Sequence, residues 1–128
     1  MRLLLDSNVL IWFLAEPQRL SRSVFADIEN PDNEVMFSAA SIWELAVKSG
    51  KKPGSLPLDA HEVLAIALQT GFRELPVTAA VAQHVTNLPP HHGDPFDRLL
   101  IAQAMAERAL FYTADAQLEA YSDLVRLI

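Results

Sequence analysis

The sequence predicts an α/β fold, a parallel sheet covered by helices on both faces, and three observations carry that prediction. Five short apolar runs of strand length stand at residues 2–6, 34–38, 73–76, 109–113 and 124–127. Helical patterns fill the intervals between them, and strands that alternate with helices pair in parallel. Acidic residues recur where apolar run gives way to helix, at the edge of the sheet where α/β ligand crevices form.

The first strand is Leu3-Leu4-Leu5, closed by Asp6. Asp6-Ser7-Asn8 then offers three side chains able to cap the helix predicted over 8–14. A second helix is predicted over 21–29, before the strand Glu34-Val35-Met36-Phe37-Ser38. The helix over 41–49 carries Glu44 among Ile42, Trp43, Leu45, Ala46 and Val47, apolar at nearly every angle, as in a mostly buried helix. Residues 51–58, with Pro53, Gly54 and Pro57, form a loop. The helix over 59–70 ends at Gly71, the residue type that a helix C-terminus favours. After the third strand comes a helix over 78–86, then a loop over 88–93 containing Pro89-Pro90. Pro95 takes the first position of the helix over 95–108. The fourth strand, a short helix over 116–121 and the fifth strand complete one domain, expected to span residues 1–128.

With 128 residues, 51% hydrophobic and 20% charged, the chain has the composition of an ordinary globular domain large enough to bury a core. The lack of cysteine excludes a disulfide framework and a thiolate metal site, and fits a reducing cytosol. Met1-Arg2 leads straight into Leu3, so no leader is expected, and no apolar run reaches membrane-spanning length. The expected setting is cytoplasmic. A net charge of −6 argues against a broadly basic nucleic-acid binder. Positive charge is local, however: Lys48, Lys51 and Lys52 follow Glu44. They either form a lip for a phosphate backbone or finish a helix whose dipole favours them.

The four histidines fit no zinc site. His61 and His84 are isolated, and His91 and His92 are adjacent in the proline-rich loop, where either can touch a substrate. No glycine-rich phosphate loop, nucleophile elbow or dinucleotide fingerprint is present.

The chemistry rests on Asp6, Glu44, Asp97 and Asp115. Each has a structural explanation when taken alone. Asp6 and Asp115 can cap helices, Asp97 suits the dipole of a helix that Asp94 caps, and Glu44 can pair with Lys48 one turn on. Together, however, they would repel one another unless a hard cation sat between them, and all-oxygen ligation suits Mg²⁺ or Mn²⁺. Such a cation acidifies water for attack on phosphorus, which predicts a metal-dependent phosphodiesterase. Asp94 shares a face with Asp97 and either ligates, holds a metal-bound water or only caps. The outer or capping role is favoured, with Asp97 as the ligand.

The stretches Leu3-Leu4-Leu5-Asp6-Ser7-Asn8-Val9-Leu10-Ile11-Trp12 and Ser38-Ala39-Ala40-Ser41-Ile42-Trp43-Glu44-Leu45-Ala46, with His91 to Ala104 and Tyr112-Thr113-Ala114-Asp115, resemble the PIN-domain ribonucleases. Within these, the likeness is to the VapC toxins of bacterial type II toxin–antitoxin pairs. It spans essentially the whole chain, with the motifs in family order; Ser7 stands where the family more often has Thr. The resemblance implies a PIN-like three-layer sandwich with a central parallel sheet of four to five strands flanked by helices. It also implies a Mg²⁺- or Mn²⁺-dependent endoribonuclease with the quartet Asp6, Glu44, Asp97 and Asp115, of which the fourth acid is the most variable. Implied partners are RNA, a cognate antitoxin and a second copy in a homodimer, with no membrane.

A phosphoacceptor receiver domain is the rival of similar length and α/β order. It needs adjacent acids after the first strand and a phosphorylatable aspartate ending a middle strand, and Phe37-Ser38-Ala39-Ala40 supplies no such aspartate. A binding module that keeps the fold without catalysis is the other alternative. For the antitoxin, Trp12 and Phe13 with Leu10, Leu14 and Leu20 are more apolar surface than a short helix is expected to bury, which suggests a groove for a partner helix.

Overall fold

Leu3, Leu4 and Leu5 are fully buried because β1 (Arg2–Leu5) is the middle strand of a five-stranded sheet. The computed structural model describes residues 1–91 and 93–128. The other strands are β2 (Glu34–Ser38), β3 (Arg73–Leu75), β4 (Leu110–Thr113) and β5 (Val125–Leu127), in the order β3-β2-β1-β4-β5. Every pairing is parallel, as the alternation of strands and helices requires. Leu5 lies opposite both Phe37 and Tyr112. The next residue of each strand, Asp6, Ser38 and Thr113, therefore stands in one row at the carboxyl edge.

The two-residue period of the strands divides the core. Leu3, Leu5, Val35, Phe37 and Tyr112 face α1 (Ser7–Ala15), α2 (Arg22–Glu29), α3 (Ala39–Lys51) and α4 (Ala60–Thr70). Leu4, Met36 and Phe111 face the opposite way, onto Leu100, Ile101 and Ala104 of α6 (Pro95–Glu107). A shorter helix, α5 (Ala79–His84), lies beside α6. The result is a three-layer sandwich.

Departures from the predicted elements are local. α3 starts at Ala39, because the Ser38 side chain accepts from the Ala40 N–H, and it continues through Gly50 to Lys51. The helix expected over 78–86 ends at His84 and tightens into a 3₁₀ turn over Val85–Asn87, while Ala116–Tyr121 is 3₁₀ throughout. Trp43 is 64% exposed, so α3 is not the mostly buried helix that its apolar residues suggested. Only Ala40, Ser41 and Leu45 of α3 are buried.

The apolar residues after Asp6 are used largely within the chain. Leu10 and Leu20 are buried. Phe13 is half-buried, with its ring 5.1 Å from that of Phe25 and 5.6 Å from that of Phe72. The Arg19 guanidinium lies 5.3 Å from the half-buried Trp12 ring. The core thus takes Leu10 and Leu20, while Trp12, Phe13 and Leu14 keep part of their surface open.

The segment leading into α6 is held by Arg98. Its guanidinium donates to the carbonyls of Val85, Leu88 and Pro89 and to the Tyr121 hydroxyl, at 2.9 to 3.3 Å. One side chain thus fastens the loop ahead of Asp94 to the turn that Asp115 begins.

Candidate active site

The turn from β1 into α1, the second turn of α3 and the start of α6 bring carboxylates to one small polar cleft of about 100 Å³ at the carboxyl edge of the sheet. Its walls are Asp6, Ser7, Asn8, Glu44, Lys48, Asp94 and Asp97. Asp6 arrives as the cap of α1, directly after β1. Glu44 lies in the second turn of α3, and Asp97 is the third residue of α6. Three of the four predicted acids thus share the cleft. Asp115 is not among the residues that line it: its carboxylate accepts from the Gln117 N–H at 3.0 Å and caps the last 3₁₀ turn.

Asp6 is the most constrained of the group. Oδ1 accepts from the Val9 N–H at 2.8 Å and Oδ2 accepts from the Thr113 hydroxyl at 2.6 Å. Burial raises its pKa above the usual carboxylate value, the Glu44 charge raises it further, and the hydrogen bonds oppose the rise. The Thr113 oxygen also accepts from the Asp115 N–H at 3.1 Å. Asp115 therefore connects to Asp6 through one hydroxyl rather than through the cleft. Thr113 is a site residue that the sequence reading missed. The signal was a polar residue ending an apolar strand, but its partner is set by register across β1 and β4.

Glu44 is only 13% exposed, and its Oε2 lies 3.9 Å from Lys48 Nζ. The helical ion pair weighed as its structural explanation is thus present, and both partners also line the cleft. Asp94 caps α6 by accepting from the N–H groups of Phe96 and Asp97 at 2.8 and 3.3 Å, while also facing the cleft. His91 is exposed, with its ring 5.1 Å from that of Tyr121, and His92 lies outside the described residues.

The donor set is that of a hard-cation site: carboxylate and hydroxyl oxygens, with no thiolate. Among the described residues, no three acidic or histidine side chains are already spaced to hold one ion together. The buried Ser7 hydroxyl on the cleft wall has no hydrogen-bond partner among the described residues, which leaves a polar atom for water or ligand.

The PIN domain family model matches residues 3–124. Ribonuclease VapC22 of Mycobacterium tuberculosis is 35% identical over 119 residues, covering 92% of this chain and 90% of that protein. Among solved structures, VapBC2 from Rickettsia felis bound to a promoter DNA fragment has a TM-score of 0.73 at 17% identity, covering 100% of this chain and 98% of that one. The sarcin–ricin-loop-cleaving toxin VapC20 of M. tuberculosis has a TM-score of 0.67 at 16% identity, covering 94% and 97%.

The strain at Asp6 gives a stability test. Its folded pKa lies above the unfolded value, so the ionised carboxylate lowers stability at neutral pH, and this penalty fades as pH falls through the folded pKa. Asp6→Asn should raise the metal-free melting temperature at neutral pH, and the gain should shrink on acidification. Thermal unfolding of both proteins across acid and neutral pH checks this; an equal or lower melting temperature for the variant at neutral pH contradicts it.

Proposed function

The chain belongs to the PIN-domain family, and from that premise we propose that it is a VapC-type ribonuclease, the toxin of a toxin–antitoxin pair, cleaving RNA at the acidic cleft with a divalent cation. The observation that carries this reading is the meeting of Asp6, Glu44, Asp94 and Asp97 from three separate connections on one small polar cleft. A receiver-type phosphoacceptor site would need its own aspartate at the end of β2, where Ser38 stands.

Asp6, Glu44 and Asp97 are the proposed holders of Mg²⁺ or Mn²⁺, with Asp115 joined to them through Thr113. When bound, the cation supplies acidified water and offsets charge on the phosphoryl oxygens. Asp6 is a rigid anchor because both of its oxygens are already hydrogen-bonded. Glu44, on the cleft wall, would orient the attacking water. Asp94 fixes the first turn of α6 and so the direction of Asp97. Hydrolysis by such a water would need no 2′-hydroxyl and would leave a 5′-phosphate. The RNA preference comes from the family and from relatives named as a ribonuclease and as an RNA-loop-cleaving toxin. The antitoxin partner is proposed from structural neighbours that are VapBC complexes, including VapBC-1 from Haemophilus influenzae.

The homodimer has a candidate surface beside the site. Trp43 and Phe96, with ring centroids 5.0 Å apart, border an apolar hollow of about 220 Å³ completed by Pro95 and Leu99. A second copy of the chain is the proposed occupant.

Three outcomes test these proposals. Asp97→Asn keeps size and helix position but removes a charge, and should lower Mg²⁺- or Mn²⁺-dependent cleavage of bacterial RNA by more than about 100-fold with circular dichroism unchanged. Retained wild-type cleavage would remove Asp97 from the mechanism. An ion that binds only the folded chain adds about 2.7 kcal/mol at a concentration 100 times its Kd. The melting temperature should therefore climb with added Mn²⁺, and a flat titration with both ions counts against the metal site. In sedimentation, wild type should run as a dimer and Trp43→Ser as a monomer. A Trp43→Ser dimer as tight as wild type moves the interface elsewhere.

A further inference from the structure

We propose that α3 carries the substrate strand away from the cleft, with Lys48, Lys51 and Lys52 forming a track for the phosphates that flank the cleaved bond. This rests on the ribonuclease reading above and adds to it where the RNA lies. These are the only three lysines in the sequence, and they fall within five residues at one end of one helix. Glu44, Lys48 and Lys51 recur at helical spacing and so share a face of α3. At about 1.5 Å per residue, Lys48 and Lys51 lie roughly 6 and 10 Å along the axis from Glu44. The row begins inside the cleft, since Lys48 lines it, and continues onto open surface at Lys51 and Lys52.

Five of the seven arginines are engaged elsewhere, and the exposed Arg22 and Arg108 stand on α2 and at the end of α6, not on α3. Arg2 and Arg73 pair with Glu34 and Glu107, and Arg19 pairs with Glu16. Arg98 and Arg126 donate to backbone carbonyls. Lys51 and Lys52 have no ion pair among the described residues. A chain of net charge −6 thus places all three of its lysines in or next to its anionic cleft, where an approaching polyanion would otherwise meet a wall of carboxylates with only Ser7 and Asn8 between them. Lysine's hydrated point charge on a flexible stem suits a backbone phosphate, which carries no sequence information. The helix dipole accounts for a cation in the last turn of α3. It does not account for a row that starts in the cleft and runs past the helix end.

The test uses the full chain and a fluorescein-labelled single-stranded RNA of mixed sequence, with affinity read by anisotropy across a salt series in Mg²⁺. Lys51→Gln with Lys52→Gln should weaken binding by about tenfold at low salt. It should also reduce the slope of log affinity against log salt by about 1.4, two contacts at about 0.7 each. Lys51→Arg with Lys52→Arg should restore both values, and the melting temperature of either variant should match wild type because both lysines are exposed. Unchanged affinity and slope in the glutamine variant overturn the track. Cleavage of total bacterial RNA is measured in parallel and separates the two readings. Wild-type cleavage with lysine-independent binding sinks the track alone. Lysine-dependent binding without cleavage under Mg²⁺ or Mn²⁺ sinks the nuclease reading and leaves an RNA-binding surface.

Discussion

The structure is organised around one buried carboxylate. Asp6 follows the middle strand of a parallel sheet, at the place where the chain first builds outward to β2 and β3 and later returns to add β4 and β5. Such a reversal opens a crevice at the carboxyl ends of the strands, and in α/β sheets ligands collect there. A carboxylate placed at that point loses water and needs partners. One partner is the Val9 N–H, which fixes where α1 begins; the other is the Thr113 hydroxyl, which ties the end of β4 to the end of β1. The same burial that destabilises the ionised form holds it rigid. A charge kept in place at a folding cost is what a ligand or transition state can exploit, and its retention is a stability–function trade-off.

The remaining acids reach the cleft by different mechanical routes. Glu44 projects from the second turn of a helix thirteen residues long, so its position is set by the packing of Leu45 and Ala40 beneath it. Asp97 depends on α6, whose buried Leu100, Ile101 and Ala104 lock the helix to the sheet and whose first turn is fixed by Asp94. Arg98 then restrains the loop entering that helix. A mobile loop could not hold like charges around one cleft. Rigid elements can, because their own packing opposes the repulsion.

Strand and helix periodicity made the fold legible in the sequence, since each apolar run is a strand and the row of Asp6, Ser38 and Thr113 follows from parallel register. The convergence of Asp6, Glu44 and Asp97 was legible for the same reason. What escaped depended on side-chain direction and on which strands are neighbours. Thr113 becomes a partner of Asp6 only because β4 lies beside β1, an adjacency that composition does not encode. Trp43 reads as core by type, yet it stands on the side of α3 turned away from the sheet. Trp12 and Phe13 read as surplus apolar surface, and part of it is met by Arg19 of the next turn and by Phe25 and Phe72. Asp115 satisfies the pattern of a fourth acid and of a cap equally. In the structure it caps the last 3₁₀ turn, and its backbone N–H donates to the Thr113 hydroxyl that holds Asp6.

The two ends of the sheet handle charge in opposite ways. At the amino edge, Arg2 and Arg73 each bridge Glu34 and Glu107, closing a ring of two cations and two anions with contacts from 2.7 to 3.4 Å. Exposed pairs of this kind contribute at most about 1 kcal/mol each, but the ring leaves no net charge to attract a ligand. It also fastens the starts of β1, β2 and β3 to the end of α6. At the carboxyl edge, four carboxylates line a cleft whose walls, among the described residues, offer only Lys48 as a cation, and that cation stands 3.9 Å from Glu44. Identical chemistry, carboxylate beside cation, is therefore balanced where it serves the fold and left in excess where it serves the site. This contrast argues for function more strongly than any one aspartate does. A chain under selection for stability alone has no reason to neutralise one end of its sheet and concentrate repulsion at the other.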